Sequence, residues 1–476
     1  VIVPQSDWEQ LPGVDAGYLI GPDSLQVLTQ PVPAAGEPTT RSGSGLRWTL
    51  RSGYEADLVA PTGGEAYTIG RLQYGDNVRG VVDWEHDGDG AECRRRTLIY
   101  DGHGLALQLG TVEPRWGRGL VVGRRSRFIG ATSARRPDGT FLQPTRSRFN
   151  GLWLSSDEKR TVSGNIVISD IRSDQFTDRV AAAQLRVTRC WWRAGVTALT
   201  GIIERRDSLG AFTRQILGGH VRLGDTKRAL LAEIAVDNGG ATAKAVELLW
   251  PFARGRFHAR AWSYGARFIN PWGGGPAHSD RESVFLDSIN EAYSTRTTGE
   301  RGFALTTRLD ASESVSLRWD WMTHKEAPDA PLIHHWTVRS RVQWRRLRVT
   351  PFARGKSVEG GNDLYSVGSY ATLGDVENRI EARFEVGRHR THAERFIRAG
   401  VGLRRRLNGH LRLAPTIRWV DPNLSQPRDG YWYIYFAETV IPGPFGRFEA
   451  VLVWQRYEDR ARGDRVELRL RSLIRP

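Results

Sequence analysis

The sequence predicts an all-β fold: a transmembrane antiparallel β-barrel of about 20–24 strands around a water-filled, arginine-rich lumen. Three observations predict it. Apolar and polar residues alternate with period two in run after run, which is the signature of strands with two unlike faces. The polar face is charged, and its charge is mostly arginine: the chain carries 68 Lys+Arg, of which only Lys159, Lys227, Lys244, Lys325 and Lys356 are lysine. Clusters of Gly, Asn and Asp punctuate the runs where hairpin turns are needed.

The runs can be taken in chain order. Leu46, Trp48 and Leu50 share one face of the first, and Arg47, Thr49 and Arg51 the other. Val315, Leu317, Trp319 and Trp321 alternate with Ser316, Arg318, Asp320 and Met322. Trp336, Val338, Val342 and Trp344 oppose Thr337, Arg339, Arg341 and Gln343. Ile380, Ala382, Phe384 and Val386 oppose Arg379, Glu381, Arg383 and Glu385. Ile397, Ala399, Val401 and Leu403 oppose Arg398, Gly400, Gly402 and Arg404. Leu411, Leu413, Ile417 and Trp419 oppose Arg412, Ala414, Thr416 and Arg418, and the last run sets Val466, Leu468 and Leu470 against Glu467, Arg469 and Arg471. Turn signals lie between runs at His86–Gly90, Asp101-Gly102, Asp237–Gly240, Leu407–Gly409 and Arg462–Asp464. No fixed-period repeat is present, which disfavours a propeller or solenoid.

A soluble sandwich also alternates, but its polar face meets bulk water and has no need of arginine on strand after strand. A small filled barrel places apolar side chains inside. A wide membrane barrel inverts this arrangement, with the apolar face on lipid and the polar face on water. Moderate overall apolarity, 39% of residues, fits a belt made from every second residue. The longest apolar stretch, Val246 to Ala253, contains Glu247 and Pro251 and is far shorter than the roughly 18 residues of a membrane helix. The chain starts at Val1, with no basic-then-apolar leader, and reads as a mature product.

Residues 1–42 lack sustained alternation and hold six prolines, so they read as an N-terminal extension or partial plug ahead of a barrel over 43–476. Within them, Leu11-Pro12-Gly13-Val14-Asp15 has the look of a phosphate-holding hairpin, although an ordinary turn explains it as well. Two long loops stand out near 124–147 and 270–298. The first carries Arg124, Arg125 and Arg127, a candidate constriction, and the second contains Glu282–Tyr293, which could form a short helix. Loops of that length in a compact barrel constrict the lumen, contact partners, or simply lie in solvent.

Enzyme chemistry is not signalled. GxSxG, HExxH, CxxC and CxxCH are all absent, so no catalytic residue, metal or cofactor is expected. Gly355-Lys356-Ser357 ends like a phosphate-binding loop, but Thr350 stands where the first glycine belongs. His334 and His335 are adjacent and so point to opposite faces of a strand. Cys93 and Cys190 are too few for a disulfide scaffold or a zinc site and either pair or stay as thiols.

Short motifs carry a family resemblance. Leu107–Gly110 through Arg115-Trp116-Gly117-Arg118-Gly119-Leu120-Val121-Val122-Gly123 resembles a strand followed by the GxGL turn of certain bacterial outer-membrane barrels. Thr298-Gly299-Glu300-Arg301-Gly302-Phe303 resembles an ERG strand start in the same proteins, and Tyr433-Ile434-Tyr435 with Glu438 resembles their late aromatic-acidic strand. The likeness, over most of 45–476, is to helix-hairpin-helix-associated barrels, and Leu105 to Gly151 is also similar to alginate-export-type porins. The chain departs from the common pattern at Leu473-Ile474-Arg475-Pro476, which lacks a terminal aromatic. The resemblance implies a Gram-negative outer-membrane location and contact with outer-membrane lipid.

The functional expectation rests on the inward arginines Arg318, Arg339, Arg341, Arg383, Arg398, Arg404, Arg412, Arg418, Arg469 and Arg471. Guanidinium binds carboxylate and phosphate bidentately and keeps its charge, so such a wall favours anionic solutes in a porin-like channel. Pairing with Asp320, Glu381, Glu385 and Glu467 would equally stiffen the wall. A second expectation is a scaffold barrel sheathing a periplasmic or extracellular protein partner, such as a multihaem cytochrome or a lipoprotein. A third, nucleic-acid uptake or barrel enzymology, rests only on the net charge of +15 and on the Leu11-Pro12-Gly13 hairpin. Placing that charge inside a lumen weighs against nucleic acid.

Overall fold

A computed structural model describes residues 46–474, apart from connecting segments of which 124–148 and 274–298 are the longest. The expected N-terminal extension (1–42) lies outside the described residues, as does nearly all of both expected long loops.

The described chain is all strand, turn and irregular backbone, with no helix. The first quarter supplies β1 (Leu46–Asp57), β2 (Glu65–Tyr74), β3 (Val78–Asp87), β4 (Gly90–Gly102) and β5 (Leu105–Val112). After the first long connection come β6 (Phe149–Ser156), β7 (Val162–Arg172), β8 (Phe176–Thr188), β9 (Trp192–Arg205), β10 (Ala211–Gly224), β11 (Ala229–Asp237), β12 (Thr242–Phe252) and β13 (Gly255–Tyr264). The second long connection leads to β14 (Arg301–Asp310), β15 (Val315–Lys325), β16 (Ile333–Trp344), β17 (Leu347–Val358), β18 (Leu364–Gly374), β19 (Arg379–Arg388) and β20 (Arg395–Arg406). The chain ends with β21 (Leu411–Leu413), β22 (Thr416–Asp421), β23 (Tyr431–Val440), β24 (Gly446–Tyr457) and β25 (Arg465–Ile474).

Strands adjacent in the chain pair antiparallel, with the exception of β21 and β22. Ala414-Pro415 interrupts one stave, so β21 and β22 both bridge β20 and β23. Proline cannot donate to the ladder, which explains the break. The 25 strands therefore make 24 staves. The first strand also pairs with the last, from Leu50 opposite Ile474 to Asp57 opposite Glu467, and this closes the ring. Closure removes the exposed edges that a sheet of this size would otherwise present. Staves spaced about 4.8 Å apart and tilted about 40° close on a backbone diameter of roughly 45–50 Å.

The alternation puts its apolar set outside. Ile168, Leu185, Val196, Leu217, Ile234 and Val246, on six successive strands, are exposed on the outer face. Buried polar groups, among them Thr197, Glu233, Glu247, Asp320 and Glu385, lie on the opposite face. Most strands have 10–14 residues, enough to cross a bilayer when tilted.

The two ends of the barrel differ. At one end β2–β3, β4–β5, β12–β13 and β16–β17 are joined by two or three residues, and both chain ends of the barrel lie there. At the other end β5–β6 and β13–β14 are separated by residues 113–148 and 265–300. Short turns face the periplasm and long loops the exterior in outer-membrane barrels.

Candidate functional site

Two parts of the inner wall are built differently. On β13 to β22 the wall is basic. Register places Arg256 opposite Arg308, Arg308 opposite Arg318, and Arg318 opposite Arg339. Four guanidinium-bearing positions thus sit side by side on four strands. Like charges directly opposed across a ladder are destabilising, so acids intervene. Arg308 pairs with Asp310 at 2.9 Å. Fully buried Asp320 accepts from Arg318 Nε at 2.8 Å, lies 3.8 Å from Arg339 Nη2, and accepts from the Thr306 hydroxyl at 2.7 Å.

The same row runs on through Phe352 and Gly368 to Glu385 and Arg398. Here one buried carboxylate serves three guanidiniums: Arg354 on one oxygen, with Arg383 at 2.7 Å and Arg398 at 3.9 Å from the other. Arg354 Nε also donates to Ser366 Oγ at 3.0 Å. Aromatic faces support the cluster, since Phe352 stacks on Tyr370 with centroids 5.0 Å apart, and Arg383 and Arg398 lie over Tyr370 and Phe396. Guanidinium over an aromatic face is attractive and keeps the side chain ordered.

The sequence-expected lumen residues fall into three groups. Arg318 and Arg339 meet at Asp320, and Arg383 and Arg398 meet at Glu385. Arg341, Arg404 and Arg418 sit on inner-face positions away from these centres: Arg341 donates to Gln343 Oε1 at 2.9 Å, Arg404 lies opposite Arg379, and Arg418 lies opposite Tyr433. Arg412, Arg469 and Arg471 lie on β21 and β25 with side chains outside the described ones, and Arg124, Arg125 and Arg127 are outside the described residues altogether. Sequence reasoning missed Arg256, Arg308 and Arg354. Arg354 occupies the near-Walker stretch of β17, where its alternation with Phe352 and Lys356 was the available signal.

The wall of β7 to β14 is the other part, and it is packed rather than open. The described flanks of the two long connections, 116–123 and 265–273, fold inward onto it. Trp116, Leu120, Val121, Val122, Phe268 and Trp272 form one buried cluster with Ala182, Ala235, Ala243, Ala245 and Trp262 of the wall. Glu233 on β11 holds the first flank through the backbone N–H groups of Arg118 and Leu120, the latter at 3.1 Å. Glu247 on β12 pairs with the Arg118 guanidinium and with His258 Nε2 at 2.8 Å. The flanks also hold each other: Asn270 Nδ2 donates to the carbonyls of Leu120 (2.6 Å) and Val121 (2.9 Å), and Gly123 N donates to Trp272 O at 3.2 Å. Trp272 Nε1 reaches Asp178 on β8 at 2.9 Å. Gly117 and Gly119, at φ 58° and 86°, make the sharp entry turn that a β-carbon would strain. The signal in the sequence was the inner face of β9 to β12, where Gly195, Gly218, Ala235, Ala243 and Ala245 leave room and Glu233 and Glu247 stand among them.

His335 proves to be an inner-face residue, buried and stacked on His324 of β15 with centroids 5.4 Å apart, while His334 points the other way. Cys190 is a free, exposed thiol in the β8–β9 turn. Among the described residues no three His, Cys, Asp or Glu converge as a metal site.

A closed 24-stave ring, apolar outside and charged inside, defines an outer-membrane β-barrel. No protein-family model and no curated protein matches the sequence. Among solved structures, the P pilus usher (PapC) translocation pore is similar at a TM-score of 0.50 and 11% identity, over 90% of this chain and 99% of that one. The Escherichia coli P pilus tip assembly intermediate PapC-PapD-PapK-PapG is similar at a TM-score of 0.59 and 10% identity, over 92% of this chain and 62% of that one. At these identities the likeness shows the fold: that of the Gram-negative outer-membrane barrels.

Proposed function

We propose that the chain is a wide outer-membrane channel whose arginine-lined wall passes or holds anionic solutes. The observation that carries this reading is the row Arg256–Arg308–Arg318–Arg339. A purely structural wall has no reason to oppose like charges on four consecutive strands, because each such contact costs stability. The row sets four arginines against Asp310 and Asp320. Its foot opens into a recess of about 900 Å³ at the short-turn mouth, lined by Arg254, Arg256 and Arg308 with Asp310 and Glu313. A basic surface at a pore mouth concentrates anions. The test is conduction by the purified protein in planar bilayers. Open channels with anion preference support the reading, and silent bilayers overturn it.

The width of the ring favours a second reading. A ring with a backbone diameter of roughly 45–50 Å encloses more space than a small solute needs. A protein partner, periplasmic or extracellular, would fill the space that the two inward flanks leave on the β15–β25 side. The similar usher pore and the assembly intermediate containing it give precedent for such a barrel admitting protein. Stoichiometric co-purification of a second chain from native membranes supports this version, and a single-component preparation with large open channels removes it.

A further inference from the structure

We propose that the short-turn rim of the barrel is a binding collar for anionic phospholipid headgroups, recognised through their phosphate diester. This goes beyond the channel reading and concerns the outer surface. Trp191, Trp250 and Trp344 all lie at this end, beside the β8–β9, β10–β11/β12–β13 and β16–β17 turns, and are 63%, 50% and 67% exposed. Indole rings at one level of an outer belt mark the interface between hydrocarbon and headgroups.

Arginines sit on these rings. The Arg228 guanidinium lies 5.5 Å from the Trp250 ring centroid, and that of Arg345 lies 5.6 Å from Trp344. A cation held against an interfacial indole is placed at the depth of the lipid phosphates, where it attracts anionic headgroups.

The turn between β16 and β17 supplies an independent argument. It is the two-residue hairpin Arg345-Arg346, and Arg345 has φ 53°, the one non-glycine residue with positive φ among the described residues. Two-residue hairpins with positive φ at the first central position alone ordinarily take glycine there, because a long side chain is strained. Strain kept at such a position points to a use for the side chain. The rim acids only partly offset the charge: Asp225 lies in the turn of Arg228, Asp375 lies near Arg346 and Glu377 is paired with Arg406 at 2.7 Å, but these three acids stand against Lys227, Arg228, Arg345, Arg346 and Arg406.

The full chain is reconstituted in phosphatidylcholine vesicles with and without phosphatidylglycerol. Retained lipid is measured by native mass spectrometry and the thermal midpoint is read in parallel. Wild-type protein is expected to retain phosphatidylglycerol preferentially and to gain thermal stability from it, both effects fading at high salt. Arg345→Asn combined with Arg346→Gln should lower phosphatidylglycerol retention on the order of tenfold. In pure phosphatidylcholine its midpoint should equal or exceed the wild-type value, because the turn is relieved. Arg228→Gln, in a turn closed by backbone bonds to Asp225, should lower retention without altering the fold. Equal retention of the two lipids by wild-type protein, or undiminished preference in both variants, overturns the proposal.

Discussion

Glu385 shows how much a single lumen residue can hold. It is fully buried and engages Arg354, Arg383 and Arg398. Replacing it by Gln leaves three guanidiniums facing one another without their anion. Breaking a buried charge cluster from one side costs about 3 kcal/mol, so Glu385→Gln should lower the urea midpoint of the barrel markedly. A conservative change at half-exposed Asp310 should cost much less. The rim carboxylates behave differently. Backbone N–H bonds, from Arg228 then Lys227 to Asp225 and from Asn378 then Glu377 to Asp375, hold both acids below the usual carboxylate range. A depressed folded value means that their contribution is present above the ordinary pKa of about 3.9 and is lost as pH falls through the lower folded value. The amides of Lys227, Arg228, Glu377 and Asn378 should therefore stay protected from exchange at neutral pH and lose protection only in strong acid.

At the scale of elements, the two inward flanks depend on wall acids and on missing side chains. Glu233→Ala removes the acceptor for two backbone N–H groups, a cost of about 1–3 kcal/mol concentrated in residues 116–123. Proteolysis near Arg118 should accelerate while the barrel itself stays folded. Gly201 faces Trp272 so closely that a β-carbon there would overlap the indole ring. Gly201→Val should displace the second flank and enlarge the channel current. These elements also mark where sequence was informative. The period-two alternation of β15, β16, β19 and β20 assigned inner and outer faces correctly, because a one-residue slip would put Trp319 and Arg318 on each other's side. The position of Arg318 and Arg383 on the face opposite exposed Trp319 and Phe384 was legible for that reason. Their grouping around Asp320 and Glu385 was not, because register between strands is a long-range property that a single strand does not encode. The packed β7–β14 wall was less legible still: Ala235 and Ala243 look unremarkable until residues 120–122 and 268–272 are laid over them.

For the whole molecule, the ring of 24 staves and its closure by β1 on β25 explain why a chain with net charge +15 can sit in a membrane. Much of its charge faces the lumen or the rim, and the belt between is apolar. The strand count expected from turn spacing, about 20–24, reaches its upper bound because β21 and β22 share one stave around Pro415. On the proposed function, this lumen selects by charge. That selection is tested most directly by the reversal potential of reconstituted channels in a KCl gradient, compared with Arg256→Gln/Arg308→Gln, which leaves the pairing of Asp320 intact. Anion preference in the wild-type channel that falls towards unity in the double variant is the predicted result. A cation-preferring or unselective wild-type channel, or a preference untouched by losing both arginines, would contradict it.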